Sequence, residues 1–575
     1  MVKRLLSYMK KYRVPAILAI VCIISETFFE LIIPLIMANI VDVGVATGDK
    51  PYILSQGALM IGCALISMVL GVGSAKFAAV SGQGLGAELR KAEYRKFQSF
   101  SFANTDHFSS ASLITRLTGD VTTIQNSVST GMRPAFRAPV MMITALAVSF
   151  TINAELAVVF FIAAPLLGFL LYQIIRHVRP LYTRMQKSID LVNRIIQENL
   201  TAIRVVKAYV REDYETEKFT EVNTQLRTVS ERAFRIAVLN MPAMQIVMYA
   251  TILCILWFGG NLVLANGMKV GELTGFLSYV LQVLNSLMMI SNVFMMLTRS
   301  LTSGRRIMEV LDEKVDITEE EAEDVRVEHG DIRFDHVYFK YKTDASEYVL
   351  SDICLDIKSG QTIGIIGETG AAKTSLIQLI PRLYDATEGT VFLDGRPVKK
   401  YPLKRLRDSV AVVLQKNTLF SGTVKDNLRW GKEDASDEEI EEVCRIACVD
   451  EFIGRLSDGY DTELGQGGVN VSGGQKQRLC IARALLKNPQ VIIFDDSTSA
   501  VDTATEARIR ERMAAALPHT TKIWIAQRIT SVIHADQIII MEDGRIQAVG
   551  THDELLASNH IYQELYHSQM EGAGL

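Results

Sequence analysis

The eight residues Gly367-Glu368-Thr369-Gly370-Ala371-Ala372-Lys373-Thr374 have the types and spacing to hold a chain of phosphates. An apolar run, Ile363 to Ile366, leads into them, and a helix-forming run from Ser375 to Leu379 follows. A strand, a glycine loop and a Lys-Thr pair at a helix start aim backbone N–H groups and the positive end of a helix dipole at phosphate oxygens. Lys373 then neutralises the terminal phosphate charge, and the Thr374 hydroxyl is placed to hold Mg²⁺. The usual pattern has glycine just before the lysine; here that residue is Ala372. Alanine fits if its φ is negative, so the expectation is a working loop of slightly altered shape. The plainer alternative is a glycine turn ahead of a helix.

Further chemistry-bearing residues follow along the same half of the chain. Tyr341 closes the run Val337 to Tyr341, about twenty-five residues ahead of the loop, and its ring could stack on a purine. Gln415 follows the apolar run Val410 to Leu414, where an amide at a strand end can reach Mg²⁺ or a terminal phosphate. Ser472-Gly473-Gly474-Gln475 opens a helix and makes a second anion site from bare backbone and helix dipole. The simplest account of two such sites in one chain is that the second serves a nucleotide held by another subunit. Val491 to Asp495 is an apolar strand ending in a carboxylate suited to hydrated Mg²⁺. Asp496 follows it, then Ser499-Ala500-Val501-Asp502. A last apolar strand, Ile523 to Ala526, ends at Gln527.

These residues need a scaffold of alternating strands and helices, and that texture begins at Asp331. The preceding half reads differently. The 575 residues are 49% hydrophobic with mean hydropathy +0.19, and the apolar residues concentrate in charge-poor stretches. Helices are expected at Val14–Ile40, Ile53–Ala75, Ala138–Ile152, Leu156–Ile175, Ile236–Leu264 and Leu273–Leu297. Spans of about 20 apolar residues cross a bilayer core; the third is short, so its lower end reaches back toward Arg133. Turns are expected at Asp42–Lys50, Asn153–Glu155 and Asn266–Lys269. Two Lys- and Arg-rich segments, after the second and fourth spans, continue the helical pattern beyond the bilayer. They place these segments and both termini in the cytoplasm. The division is therefore 1–305 membrane domain, 306–328 acidic linker and 329–575 nucleotide-binding domain. The fold class is an all-α six-helix transmembrane domain followed by an α/β P-loop ATPase-type domain.

The net charge of −4 offers no footprint for nucleic acid. Seven scattered cysteines lack pairing or metal-type spacing and read as reduced thiols. The basic N-terminus precedes an apolar run too long for a signal peptide, so it reads as the first span. Glu26 and Glu30 lie on one face of that span. Intramembrane carboxylates face a bundle interior or a wet cavity. They serve either a cationic substrate or, more simply, polar and basic groups of the bundle. Met288, Met289, Met295 and Met296 in the sixth span suit either a deformable cavity wall or ordinary packing.

Tyr341, the phosphate loop, Gln415, Ser472 to Gln475, Asp495 and Asp502 occur in the order and spacing of the ATPase domain of ABC transporters. With six spans fused ahead of it, the whole chain resembles an ABC exporter half-transporter of multidrug or lipid-flippase-like type. The resemblance implies that ATP and Mg²⁺ are bound by Tyr341, Gly367 to Ser375, Gln415 and Asp495. Thr374, Gln415 and Asp495 would hold the metal. Ser472, Gly473, Gly474, Gln475 and Asp502 would contact a nucleotide on the partner subunit. Segments Phe102–Ile124 and Asn199–Phe219 resemble the family's intracellular loops, which dock on the ATPase domains.

The family normally has glutamate after the Mg²⁺-binding aspartate and histidine at the switch position; here these are Asp496 and Gln527. The shorter carboxylate sits about 1 Å or more from the productive place, a misplacement that can cost ~10²-fold in rate. An amide cannot be protonated. With Ala372, these departures cluster where the chain engages its own nucleotide, while Ser472 to Gln475 is intact. The pattern resembles the degenerate-site half of a heterodimeric exporter that works with a second half-transporter, a lipid bilayer and a small amphipathic or lipid-like substrate. Two rivals are a homodimer with two slow sites and an ATP-gated channel or regulatory protein. The absence of a periplasmic-binding or peptidase domain argues against an importer, and the compact size suggests a bacterial plasma membrane.

Overall fold

The computed structural model describes residues 1–342, 344–496 and 501–572; Ser499 and Ala500 lie outside the described residues. The chain divides into two compact units, Met1–Gln98 with Ala111–Asp312, and Ser99–Ser110 with Glu313–Leu575.

Six helical stretches of the first unit are long and apolar enough to cross a membrane. Their principal helices are Arg13–Asn39, Lys50–Gln98, Met132–Ile152, Ala154–Thr201, Asn240–Leu264 and Val270–Asp312. The second has 49 residues, about 74 Å at 1.5 Å per residue, against a hydrocarbon core of about 30 Å. The extension beyond the bilayer expected from helical periodicity is therefore continuous helix. The sixth likewise runs through Arg305 to Asp312, so this unit ends later than residue 305.

Local chemistry explains where the elements depart from expectation. The turn expected from Asp42 begins only at Gly48 (φ +68°), because a wider helical turn, Ile40–Val45, carries the first span onward. Asp42 is a cap: its carboxylate accepts from the N–H groups of Gly271 (2.5 Å) and Glu272 (3.0 Å), orphan donors at the start of the sixth helix. A Cβ on Gly271 would lie 2.2 Å from the Ala38 carbonyl oxygen, so this approach requires glycine. The fifth span starts at Asn240 rather than Ile236, after a break at Val238–Leu239. Pro242 has no N–H to offer the Val238 carbonyl, which ends the preceding helix there.

The third span begins at Met132, and its first turns carry Arg133 and Arg137. Arg133 pairs with Glu26, while Arg137 reaches Glu26 at 3.3 Å and Glu30 at 2.5 Å. The two glutamates of the first span thus find basic partners within the bundle. Gly71 of the second span lies against this cluster; a Cβ there would come within 3.0 Å of Glu26 Oε1. Of the sixth-span methionines, Met288 packs against the apolar core and Met296 against Gly131, whereas Met295 is exposed.

The second unit contains two main sheets. Strands β1 (Ile332–Phe339), β2 (Leu350–Ile357), β4 (Glu388–Leu393) and β5 (Arg396–Pro397) form an antiparallel sheet ordered β2-β1-β4-β5. Strands β3 (Thr362–Gly367), β6 (Val410–Val413), β9 (Val491–Asp495), β10 (Thr521–Ile525), β11 (Gln537–Glu542) and β12 (Arg545–Gly550) form the other, ordered β12-β11-β3-β10-β9-β6. A two-stranded ribbon pairs β7 (Gly422–Thr423) with β8 (Glu463–Leu464). In the six-stranded sheet β11, β3, β10, β9 and β6 run parallel, and β9 and β10 are buried along their whole lengths. Such unbroken apolar runs belong to a sheet covered on both faces.

Candidate nucleotide site

Parallel strands put four of the sequence-selected nucleotide residues at one edge, the carboxyl ends, where open α/β sheets bind ligands. Gly367 ends β3, Gln415 lies two residues past β6, Asp495 ends β9, and Gln527 lies two residues past β10. Strand β10 lies between β3 and β9, which brings the loop and Asp495 together. The Thr374 hydroxyl donates to Asp495 Oδ1 at 2.8 Å. These two oxygens, with the exposed Gln415, are hard donors of the kind Mg²⁺ takes.

The loop itself is a cradle of backbone. Gly367 (φ +153°) and Gly370 (φ +98°) take conformations that favour glycine, and nothing stands where a Cβ of Gly370 would point. Ala371 is buried in the domain core, while Glu368 and Thr369 stay outside it. Lys373 Nζ donates to the carbonyls of Gly367 (2.9 Å) and Glu368 (2.8 Å), folding back over the loop. Burial holds the Lys373 pKa below the ordinary lysine value, and burial raises that of Asp495. Both shifts reflect a desolvated pocket that gains from opposite charge.

Ala372 corrects the sequence expectation. Its φ is +64° with ψ +22°, the left-handed region, rather than negative. The loop keeps the backbone that glycine would take, and the alanine Cβ bears the strain.

Tyr341 is 43% exposed, and its hydroxyl shares a hydrogen bond of 2.8 Å with Ser375 directly after the loop. Its ring packs edge-on against Phe339 and Tyr384. Tyr384 extends this cluster to the segment Ser99–Ser110: its hydroxyl donates to Asp106 at 2.6 Å and its ring meets Phe102. Burial, then the Asp106 carboxylate, pushes the Tyr384 pKa above the usual tyrosine value. Asn104 of the same segment donates to Glu313 and to the Lys314 carbonyl. The sequence does not single out Tyr384 or Asp106, although Asp106 lies within the segment Phe102–Ile124. The other loop-like segment forms the short helix Ile203–Ala208 within the membrane unit.

Ser472 caps the helix Gly473–Leu485: its hydroxyl accepts from Gln475 N at 3.3 Å, and Gln475 Oε1 accepts from Ser472 N at 2.8 Å. This reciprocal box leaves the Gly473 and Gly474 amides at the helix start, as an anion site requires. Asp502 caps the next helix by accepting from Thr505 N at 2.9 Å. The last two residues meet directly: Gln527 Nε2 donates to Asp496 Oδ2 at 2.6 Å.

Residues 16–287 match the ABC transporter transmembrane region, and residues 350–499 match the ABC transporter family. An ABC transporter ATP-binding protein of Bacillus subtilis, YfiB, is 38% identical over 572 residues, covering 100% of this chain and 99% of that protein. The chain belongs to the ABC transporter family. An ATP-dependent lipid A-core flippase of Desulfotalea psychrophila is 32% identical over 82% of each chain. The solved structure of a bacterial Atm1-family ABC exporter with ATP bound superposes with a TM-score of 0.81, at 22% identity, over 98% of this chain and 99% of that one. This ABC transporter is a multi-pass membrane protein with the exporter fold, and its ATPase domain binds nucleotide and couples hydrolysis to transport.

Proposed function

We propose that this ABC transporter chain is one half of a heterodimeric exporter of amphipathic, drug-like or lipid-like molecules in the plasma membrane. Its own phosphate loop forms a slow, degenerate ATP site, and its Ser472 to Gln475 segment with Asp502 completes a fast site on the partner. The Gln527–Asp496 hydrogen bond carries this reading. Bound MgATP supplies the γ-phosphoryl group for in-line transfer to water. Thr374, Gln415 and Asp495 would hold the metal, Lys373 would neutralise the phosphate charge, and Tyr341 would stack on the base. The remaining task is polarising water. Asp496 is one methylene shorter than glutamate, and an amide donor occupies one of its oxygens. Gln527 has no proton to yield, so neither residue performs the role that glutamate and histidine would.

The lipid A-core flippase among the relatives supports an amphiphile as substrate. The segment Ser99–Ser110, bound through Asp106 and Asn104, is the element through which closure of the ATPase domains is passed on. The deciding experiment is intact-mass analysis of the tagged chain purified from its native membrane. A stoichiometric second half-transporter with glutamate and histidine at the two positions is the expected result. Recovery of this chain alone, as a homodimer, overturns the proposal.

A further inference from the structure

The exposed side of the antiparallel sheet holds a cluster that nucleotide chemistry does not use. Phe334 pairs with Leu355 and Val337 with Ile353, so Asp335 and His336 together oppose Cys354, a bulge in β1. The next pairing, Phe339 with Leu350, leaves Tyr338 opposite Ser351 and Asp352, a second bulge on β2. The bulged residues His336 (φ +47°) and Asp352 (φ +52°) are both in the left-handed region, which side chains with a Cβ adopt only under constraint. Gly389 of β4 accommodates the first bulge, since a Cβ there would lie 2.1 Å from the His336 carbonyl oxygen.

The two bulges turn three side chains together. Asp352 and Cys354, two apart on β2, share the exposed face. His336 Nδ1 lies 2.7 Å from Asp352 Oδ1 and 3.5 Å from Cys354 Sγ, and the three ligand atoms all fall within 4.8 Å of one another. Bond lengths of about 2.0–2.3 Å to nitrogen, oxygen and sulfur set tetrahedral ligand-to-ligand edges at about 3.3–3.7 Å. The sulfur–nitrogen distance already matches. The nitrogen–oxygen pair is bridged by a proton, and it opens to that edge when a cation replaces the proton.

We propose that His336, Asp352 and Cys354 form a surface site for a borderline-soft divalent cation of the zinc type, with water as fourth ligand. Binding releases the Cys354 thiol proton and the proton bridging His336 and Asp352, and involves no change of oxidation state. A nitrogen, oxygen and thiolate set discriminates against Mg²⁺, so the site is chemically separate from the oxygen-donor set at the phosphate loop.

The test is peptide-resolved alkylation of Cys354 in the full-length protein, stripped with chelator and carrying no histidine tag. Rates are compared with no metal, with equimolar Zn²⁺ and with Mg²⁺, alongside elemental analysis of bound zinc. Cys354 is exposed, whereas Cys63, Cys444, Cys448 and Cys480 are buried. Zinc is expected to slow Cys354 alkylation about tenfold or more, because a metal-bound thiolate is withheld from the reagent, with no effect from Mg²⁺. His336→Asn tolerates the left-handed backbone yet removes the imidazole; within that variant the rates with and without zinc should be equal, whatever its metal-free rate becomes. Cys354→Ser should lose about one equivalent of bound zinc. Equal alkylation with and without zinc, or protection that survives in His336→Asn, overturns the assignment.

Discussion

Gln527 Nε2 and Asp496 Oδ2 lie 2.6 Å apart across the ends of neighbouring parallel strands. Asp496 is itself left-handed (φ +46°), so its backbone as well as its length fixes where the carboxylate points. Because the two side chains are hydrogen-bonded to each other, restoring one is expected to be insufficient. Asp496→Glu alone is expected to leave the basal ATPase of the isolated chain slow. Asp496→Glu with Gln527→His should raise it by about 10²-fold. Steady-state phosphate release from purified protein in lipid checks this, and rapid hydrolysis by the single variant refutes the coupling.

Ala372→Gly removes a Cβ from a left-handed residue. Such strain is worth about 1–3 kcal/mol, so the substitution should stabilise the ATPase domain or tighten ATP binding by about 1 kcal/mol. Nucleotide affinity by equilibrium titration, with the unfolding midpoint measured in parallel, separates the two outcomes. Unchanged values in both mean that the loop relaxes around the alanine at no cost.

Asp394, in the turn between β4 and β5, ties down residues 328–331 that lead into β1. Burial opposes its ionisation, but N–H donors from Glu328, His329, Gly330 and Asp331 outweigh burial and hold its pKa below the usual aspartate value. A lowered folded-state pKa contributes stability above the unfolded value, about 3.9, and that contribution disappears as pH falls through the folded value. Asp394→Asn should cost about 1.5–3 kcal/mol near neutrality, with the gap to wild type closing below about pH 4. Hydrogen-exchange protection of residues 328–331, corrected for intrinsic rate, reads it; a gap that persists in acid contradicts the assignment.

Glu26 is only 2% exposed and meets two arginines; removing its charge takes the carboxylate from Arg133, while Arg137 keeps Glu30. Glu26→Gln should destabilise the membrane unit by about 1–3 kcal/mol, the cost of leaving a buried polar partner unmatched. Converting Glu26 and Arg133 together to Gln and Met should recover much of that loss. Thermal unfolding in nanodiscs distinguishes this from a substrate-contact role, in which stability stays constant and only transport of cationic compounds falls.

What the sequence determined by itself was whatever depends on local pattern. Six apolar runs specify membrane helices because an unpaired backbone is too costly in hydrocarbon. The phosphate loop, Ser472 cap and Asp495 are legible because each needs only a strand or helix boundary and a few adjacent residue types. Tertiary structure decided what depends on neighbours distant in the chain. It set the left-handed φ of Ala372, since the path of a loop between β3 and a helix is imposed by the sheet. It joined Glu26 to Arg137, 111 residues away, and Gln527 to Asp496. It also brought His336 against Cys354 through paired bulges, because register between strands is settled by side-chain packing across the whole sheet rather than by either strand alone.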